Sequence, residues 1–185
     1  MENFRNKNFK LKLGTIEVVH KKLVGVISGG LMFIIFLPLI FSFLSSFSDE
    51  KLGMPNLLKE PLNFIVAIGC IGFGLSLVAW SGFAQITVGR GTPIPVMPTQ
   101  RLITTGSYSL CRNPMLLGTT IYYLGIGFFM NSPSFACLTL LFLVGSAIYI
   151  KLVEEKKLEA QFGEEYREYR RNTPFLIPRL GKRIL

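Results

Sequence analysis

The chain has 185 residues, of which 50% are hydrophobic and only 17% are charged, and its mean hydropathy is +0.45. These values exclude collagen-like, disordered and disulfide-scaffold proteins, and they indicate one membrane domain. The formal net charge is +9, but the Lys and Arg residues flank apolar stretches, so we assign this charge to membrane topology and anionic headgroups and expect no nucleic acid partner.

Three stretches of the sequence contain no charged residue: 23–48, 61–89 and 113–150. A helix needs about 20 apolar residues to cross the hydrocarbon core, so the first two stretches each predict one span. The third stretch has 38 residues and contains a turn signal at Asn131-Ser132-Pro133, which predicts a tight hairpin of two shorter helices. We therefore predict an all-α polytopic membrane protein with about four transmembrane helices.

The segments between these stretches alternate between many and few basic residues. Lys and Arg number six in residues 1–22, two in 49–60, three in 90–112 and nine from residue 151 on. Because basic segments stay on the cytosolic side of a membrane, both termini and the second loop are predicted to be cytosolic. Along the hairpin, Pro114 lies 18 residues before Ser132 and Val153 lies 21 residues after it, so the two ends are predicted to reach a similar depth. Polar residues before and after the hairpin then meet at one cytosolic rim.

At the first end of the hairpin the order is Arg112-Asn113-Pro114. Pro is favoured at the first helical position and Asn is favoured as the cap before it, so a helix is predicted to begin here. Its free backbone N–H groups, with Arg112 beside them, would suit an anion. The alternative is an ordinary helix cap with an interfacial arginine.

At the other end, Glu154 and Glu155 directly follow an apolar run. Carboxylates near hydrocarbon are costly unless they have a partner or a task. Together with Arg112 they could complete a pocket for a zwitterionic or cationic ligand. The alternative is a solvated helical turn in which Lys156 and Lys157 balance the two acids.

An amphipathic C-terminal helix is predicted next, because Leu158, Phe162, Tyr166 and Tyr169 recur at spacings of four, four and three. Its apolar stripe would lie on the membrane or on the helix bundle. Gly163 is expected to interrupt or bend this helix.

Three motifs occur in order along residues 89–178: Gly89-x-Gly-Thr-Pro, then Leu102-(x)3-Gly106-x-Tyr108-(x)3-Arg112-Asn113-Pro114-(x)3-Gly118, then Glu154-Glu155-(x)2-Leu158-(x)3-Phe162-Gly163-(x)2-Tyr166-(x)2-Tyr169-(x)4-Pro174. This ordered set resembles the isoprenylcysteine carboxyl methyltransferase and phospholipid methyltransferase superfamily. The family commonly has Tyr two residues after the Pro, where this chain has Leu116.

The resemblance implies an integral membrane enzyme that binds S-adenosylmethionine in a cytosolic pocket built from the last hairpin and its flanking segments. The cysteines Cys70, Cys111 and Cys137 have no metal-ligand spacing, and no metal-binding residue is predicted. The implied organisation is one membrane domain, 1–185, with a cytosolic N-terminus at 1–22, two N-terminal spans within 23–88 and a catalytic, cofactor-binding region at 89–178. The resemblance implies seven cofactor-binding residues: Tyr108, Arg112, Asn113, Pro114, Gly118, Glu154 and Glu155. Two of them, Arg112 and Glu155, are also implied to be catalytic.

Methyl transfer from a sulfonium is an in-line displacement, which depends mainly on positioning. Our hypothesis is that Arg112 and the helix start meet the cofactor's carboxylate, and that Glu154 or Glu155 meets its amino group or ribose hydroxyls. An aromatic face, such as that of Tyr108 or Tyr122, would meet the sulfonium.

The methyl acceptor is expected to be lipid-like or lipidated and to enter from the bilayer. It could be a prenylcysteine-type carboxylate, a phospholipid-type amine or a small hydrophobic metabolite. A carboxylate would need a second cation, for which Arg167 and Arg170 are candidates. The expected location is a plasma or inner membrane with the site facing the cytosol. The alternative function is a non-catalytic four-span protein whose basic rims bind anionic lipid or a partner.

Overall fold

The computed structural model describes residues 24–25, 27–89 and 99–178, and within these ranges it contains helices and no strand. A π-helical segment, Ile150–Glu154, connects the helices Pro133–Tyr149 and Glu155–Phe162, so that one helix is continuous over Pro133–Phe162. In chain order the helices are α1 (Ile27–Leu52, with a π-helical segment at Leu31–Phe36), α2 (Leu62–Thr87), α3 (Ser107–Leu110), α4 (Pro114–Phe129), α5 (Pro133–Tyr149), α6 (Glu155–Phe162) and α7 (Glu164–Asn172). The predicted N-terminal segment 1–22 lies outside the described residues.

Three helices of the described chain are long and apolar enough to cross a membrane: α1, α2 and the continuous helix Pro133–Phe162. This is the architecture of a polytopic membrane protein. The first helix of the predicted hairpin, α4, has 16 residues and spans about 24 Å, so the fourth crossing stays a prediction. The second helix is longer than predicted, because residues 151–162 are good helix formers and no breaker occurs before Gly163.

Small residues let α2 and α4 approach closely. A Cβ atom on Gly74 would lie 2.5 Å from the backbone nitrogen of Tyr122, and one on Gly118 would lie 2.9 Å from the Gly74 carbonyl oxygen. Glycine at both positions allows backbone-to-backbone contact, which is a common way for helices to associate in membranes. The structure thus gives Gly118 a packing role, and its predicted role in cofactor binding stays a prediction.

Tyrosines of α4 bind the π-helical segment of α1. The Tyr122 hydroxyl donates to the carbonyl of Ile34 at 2.8 Å, and the Tyr123 hydroxyl donates to that of Phe33 at 2.7 Å. A polar group at membrane depth needs such a partner. These two bonds fix α4 against α1.

A polar clamp closes the end of the bundle where α4 turns into α5. The Asp49 carboxylate accepts from the Ser132 hydroxyl and, at 3.1 Å, from the Ser134 N–H. The Asn131 side chain accepts from the Leu58 N–H at 2.9 Å and donates to the Leu58 carbonyl at 2.8 Å. The chain therefore turns at the Asn-Ser-Pro signal, and the same residues hold the loop between α1 and α2.

Candidate active site

An ion pair joins Arg112, two residues before α4, to Glu155, the first residue of α6. Nη1 of Arg112 lies 2.6 Å from Oε1 of Glu155, and the two side chains are only 11% and 12% exposed. The polar segments before and after α4 and α5 therefore meet, as the residue count along the hairpin predicted. The pair sits at the opposite end of α4 and α5 from the Asp49 clamp.

The tail after α7 lies across the beginning of α4. The Pro174 carbonyl accepts from the backbone N–H of Arg112 at 2.8 Å, and the Asn113 amide donates to the Phe175 carbonyl at 3.0 Å. The helix begins at Pro114 with Asn113 at the N-cap position, as predicted, but the Asn113 side chain makes no capping hydrogen bond. Its amide needs an acceptor, and the tail provides one outside the helix.

Aromatic and cationic groups also meet at this tail. The Phe175 ring centroid lies 5.7 Å from Cζ of Arg112 and 5.0 Å from Nζ of Lys151. Both distances are within the range in which a cation is attracted to an aromatic face. Neither Phe175 nor Lys151 was among the predicted site residues, since an aromatic residue in a polar tail and a lysine at the end of an apolar run carry no distinctive pattern.

Tyr108 is held between α2 and α7. Its hydroxyl accepts from Nε2 of Gln85 at 2.7 Å, and its carbonyl accepts from the Tyr169 hydroxyl at 2.7 Å. Burial raises the pKa of Tyr108 to about 12, and the nearby negative charge of Glu154 adds to this shift. Tyr108 is therefore neutral at physiological pH and is a hydrogen-bonding group or an aromatic face rather than a base. Gln85 was missed by the sequence analysis, although an amide near the end of an apolar span is a signal.

Tyr166 and Tyr169 pack inside the protein rather than on a membrane surface. They are 2% and 8% exposed, and their ring centroids are 6.4 Å apart. Burial raises the pKa of Tyr166, and the adjacent Glu155 carboxylate adds to the rise while the Arg112 side chain opposes it. Gly163 separates α6 from α7 with φ of 57°, so the break predicted there is present and turns α7 back toward the bundle.

Three buried polar atoms along these segments have no hydrogen-bond partner among the described residues: Nε of Arg112, Oγ of Ser107 and Oε1 of Gln85. A buried polar group without a partner costs about 1–3 kcal/mol, so such groups point to a bound ligand or water. Ser107 and Arg112 lie in the segment that carries Tyr108 and the arginine of the ion pair, and Gln85 contacts Tyr108 from α2. This set of donors and acceptors suits a ligand that bears a carboxylate and hydroxyl groups.

Other predicted residues lie apart from this cluster. Tyr122 is held against α1, so the hypothesis that its ring meets the cofactor is not supported. Arg170 pairs with Glu159 at 2.9 Å and Arg167 with Glu164 at 2.8 Å, on an exposed surface. The part of the first motif that follows Gly89 lies outside the described residues.

Comparison with known proteins places these residues in a family. A family model described as phospholipid methyltransferase matches residues 62–165, more than half of the chain. The chain belongs to the phospholipid methyltransferase family. The match contains Gln85, Tyr108, the Arg112–Glu155 pair and Glu154, and it ends before Tyr166 and the tail.

Curated relatives of this phospholipid methyltransferase family member cover part of its length. It is 35% identical over 97 residues to methanethiol S-methyltransferase 2 of Bradyrhizobium diazoefficiens (51% of this chain, 34% of the relative). It is 36% identical over 121 residues to a methanethiol S-methyltransferase of Pseudomonas deceptionensis (60% and 44%). It is 30% identical over 119 residues to the cobalt-zinc-cadmium resistance protein CzcN of Cupriavidus metallidurans (63% and 50%). The chain spans half or less of the length of these relatives.

Proposed function

We propose that this member of the membrane methyltransferases transfers a methyl group from S-adenosylmethionine to a hydrophobic acceptor at the Arg112–Glu155 cluster. The observation that carries the proposal is the buried ion pair, whose arginine has a second buried nitrogen, Nε, without a partner among the described residues. A buried guanidinium that still has a donor without a hydrogen-bond partner is a suitable partner for a carboxylate. S-adenosylmethionine, when bound, supplies the methyl group on a positively charged sulfur.

The residues of the chain would then act by binding and orientation. Glu155 holds the guanidinium of Arg112 in place, so that Nε is free for the cofactor's carboxylate. Glu154, one residue earlier, bears a negative charge near Tyr108 and is the candidate partner of the amino group or ribose. Tyr108 offers an aromatic face for the sulfonium, with its hydroxyl held by Gln85. Arg112, Glu155 and Tyr108 are at most 12% exposed, so they would limit the access of water to the reacting atoms.

The acceptor is proposed to be hydrophobic and to reach the site from the bilayer. Two relatives are named for methanethiol, a small hydrophobic thiol, and this favours the small-metabolite class over a prenylcysteine-type carboxylate or a phospholipid-type amine. The carboxylate class is further disfavoured because the candidate second cations, Arg167 and Arg170, are each paired with a glutamate.

The sidedness of the protein is also a proposal. The alternation of basic segments and the cytosolic supply of S-adenosylmethionine support a plasma or inner membrane, with both termini and the active site facing the cytosol. A fluorescent-protein fusion at the C-terminus that fluoresces only when the tail is cytosolic would test this topology.

The experiment for the activity is transfer of labelled methyl groups by purified full-length protein in detergent, with a thiol, a prenylcysteine and an amino-phospholipid offered in parallel. We expect labelled product with one class of acceptor and loss of that product in Glu154→Ala. Cofactor binding without product from any class would favour a degenerate family member. The alternative of a four-span protein that binds anionic lipid without catalysis predicts neither cofactor binding nor product.

A further inference from the structure

Phe175 lies in the tail that follows α7, ten residues beyond the region matched by the family model. Its backbone carbonyl holds the Asn113 amide, and its ring lies against the Arg112 guanidinium and the Lys151 ammonium. The preceding residue, Pro174, holds the backbone N–H of Arg112. The tail therefore contacts the backbone of Arg112, its side chain and the side chain of its neighbour.

These contacts add to the restriction of a side chain that is already mostly buried, at 11% exposed, beside Tyr166. The bond of 2.6 Å from Nη1 to Glu155 fixes one corner of the guanidinium plane, and Tyr166 lies beside the same group. The Phe175 ring gives the plane a further support, since cations are attracted to an aromatic face. Together these supports set the direction of Nε, which has no partner among the described residues.

The tail itself is brought to this position by α7. The break at Gly163 turns α7 back, and the bond of 2.7 Å from the Tyr169 hydroxyl to the Tyr108 carbonyl holds α7 on the bundle. The chain then passes through Thr173 to Pro174 and Phe175. The position of Phe175 is thus fixed by several hydrogen bonds along α7 and the tail and not by a single weak contact.

We propose that Phe175 is a positioning residue of the active site, which orients Arg112 toward the carboxylate of S-adenosylmethionine. This inference rests on the proposed function, because it concerns the same cofactor. It extends the site into a tail that the family match does not include.

The test measures binding of two probes to the full-length protein in detergent: S-adenosylmethionine and its decarboxylated analogue, which lacks the carboxylate. Calorimetry is run on the wild type and on Phe175→Ala, Phe175→Leu and Phe175→Tyr. Ile177→Ala is the matched control, since Ile177 is in the same tail and is 77% exposed. Thermal unfolding of each variant shows whether the bundle is intact, and Phe175→Leu keeps apolar bulk if the alanine variant does not fold.

We expect Phe175→Ala to weaken binding of S-adenosylmethionine about tenfold, because it removes the aromatic support of Arg112. Phe175→Leu should also weaken it, and Phe175→Tyr and Ile177→Ala should bind like the wild type. Binding of the decarboxylated analogue should not change in any variant. A purely structural role of Phe175 would weaken the binding of both probes, so a loss confined to the probe with the carboxylate distinguishes the two roles.

Two results would overturn the inference. The first is unchanged binding of S-adenosylmethionine in both Phe175→Ala and Phe175→Leu. The second is an equal loss for both probes, which would assign Phe175 to general stability. If the wild type binds neither probe, the proposed function itself fails, and that outcome is distinct from the other two because it appears before any variant is compared.

Discussion

The two side chains of the buried Arg112–Glu155 pair should be strongly coupled in their effect on stability, and a double-mutant cycle can measure this coupling. Both side chains are about nine-tenths buried and the charged atoms are 2.6 Å apart. Removal of one partner leaves a buried charge without compensation, which costs about 3–5 kcal/mol. Arg112→Gln and Glu155→Gln should each lower the thermal midpoint by roughly 6–20 °C, at about 2–4 °C per kcal/mol for a chain of this size.

The double variant should lose less than the sum of the two single variants, because it leaves no charge unpaired. We expect a coupling energy of roughly 1–3 kcal/mol. The assay is thermal unfolding in detergent followed by far-ultraviolet circular dichroism. The matched control is the same cycle on Arg171 and Glu164, which are 2.7 Å apart but 68% and 65% exposed, and which should show no measurable coupling. If the stability losses of Arg112→Gln and Glu155→Gln are additive in the double variant, the two side chains do not interact and the buried ion pair is refuted.

Three further predictions concern the parts of the protein that hold the site. Gly74→Ala should destabilise the protein by about 1–3 kcal/mol because the new methyl group meets backbone, whereas Gly72→Ala, with no atom within 4 Å, should be neutral or slightly stabilising in the same thermal assay. Asn131→Asp should destabilise the protein by about 1 kcal/mol, because it removes the hydrogen bond to the Leu58 carbonyl, and this loss should lower the thermal midpoint. Cofactor affinity should not change, because the clamp lies at the other end of α4 and α5 from the site. A large loss of affinity would contradict that placement. Tyr108→Phe should keep cofactor affinity within about threefold, because the aromatic face remains. Since burial raises the pKa of Tyr108 to about 12, its hydroxyl stays protonated below that value, and the wild type and Tyr108→Phe should show parallel pH profiles of binding up to about pH 10.

The sequence predicts those features that depend on local patterns and on helix geometry. Uncharged stretches locate the apolar helices, and the Asn-Ser-Pro signal locates the turn between α4 and α5. Because a helix rises a fixed distance per residue, the number of residues on each side of Ser132 predicts that Arg112 and Glu155 lie at the same end of the hairpin. The family resemblance was carried by the same residues and is confirmed by the family match.

Features that depend on tertiary contacts were not predicted correctly. Asn113 reads as a helix cap, but the tail supplies its acceptor from a segment 62 residues later. Tyr122 lies on the apolar helix α4, and only the packing against α1 shows that its hydroxyl donates to the Ile34 carbonyl. The contact of Phe175 with Arg112 depends on the path that Gly163 and α7 impose on the tail. No local pattern encodes such a path.

The most direct test of the account is calorimetric binding of S-adenosylmethionine to the purified full-length protein in detergent, with Arg112→Ala and Glu154→Ala alongside. The account predicts one binding site, with affinity reduced at least about tenfold in Arg112→Ala, since a hydrogen bond to a charged group contributes about 1.5–3 kcal/mol. Glu154→Ala should also weaken binding. Folded wild-type protein that does not bind the cofactor, or an Arg112→Ala variant that binds it with unchanged affinity, would contradict the assignment of this cluster as the active site.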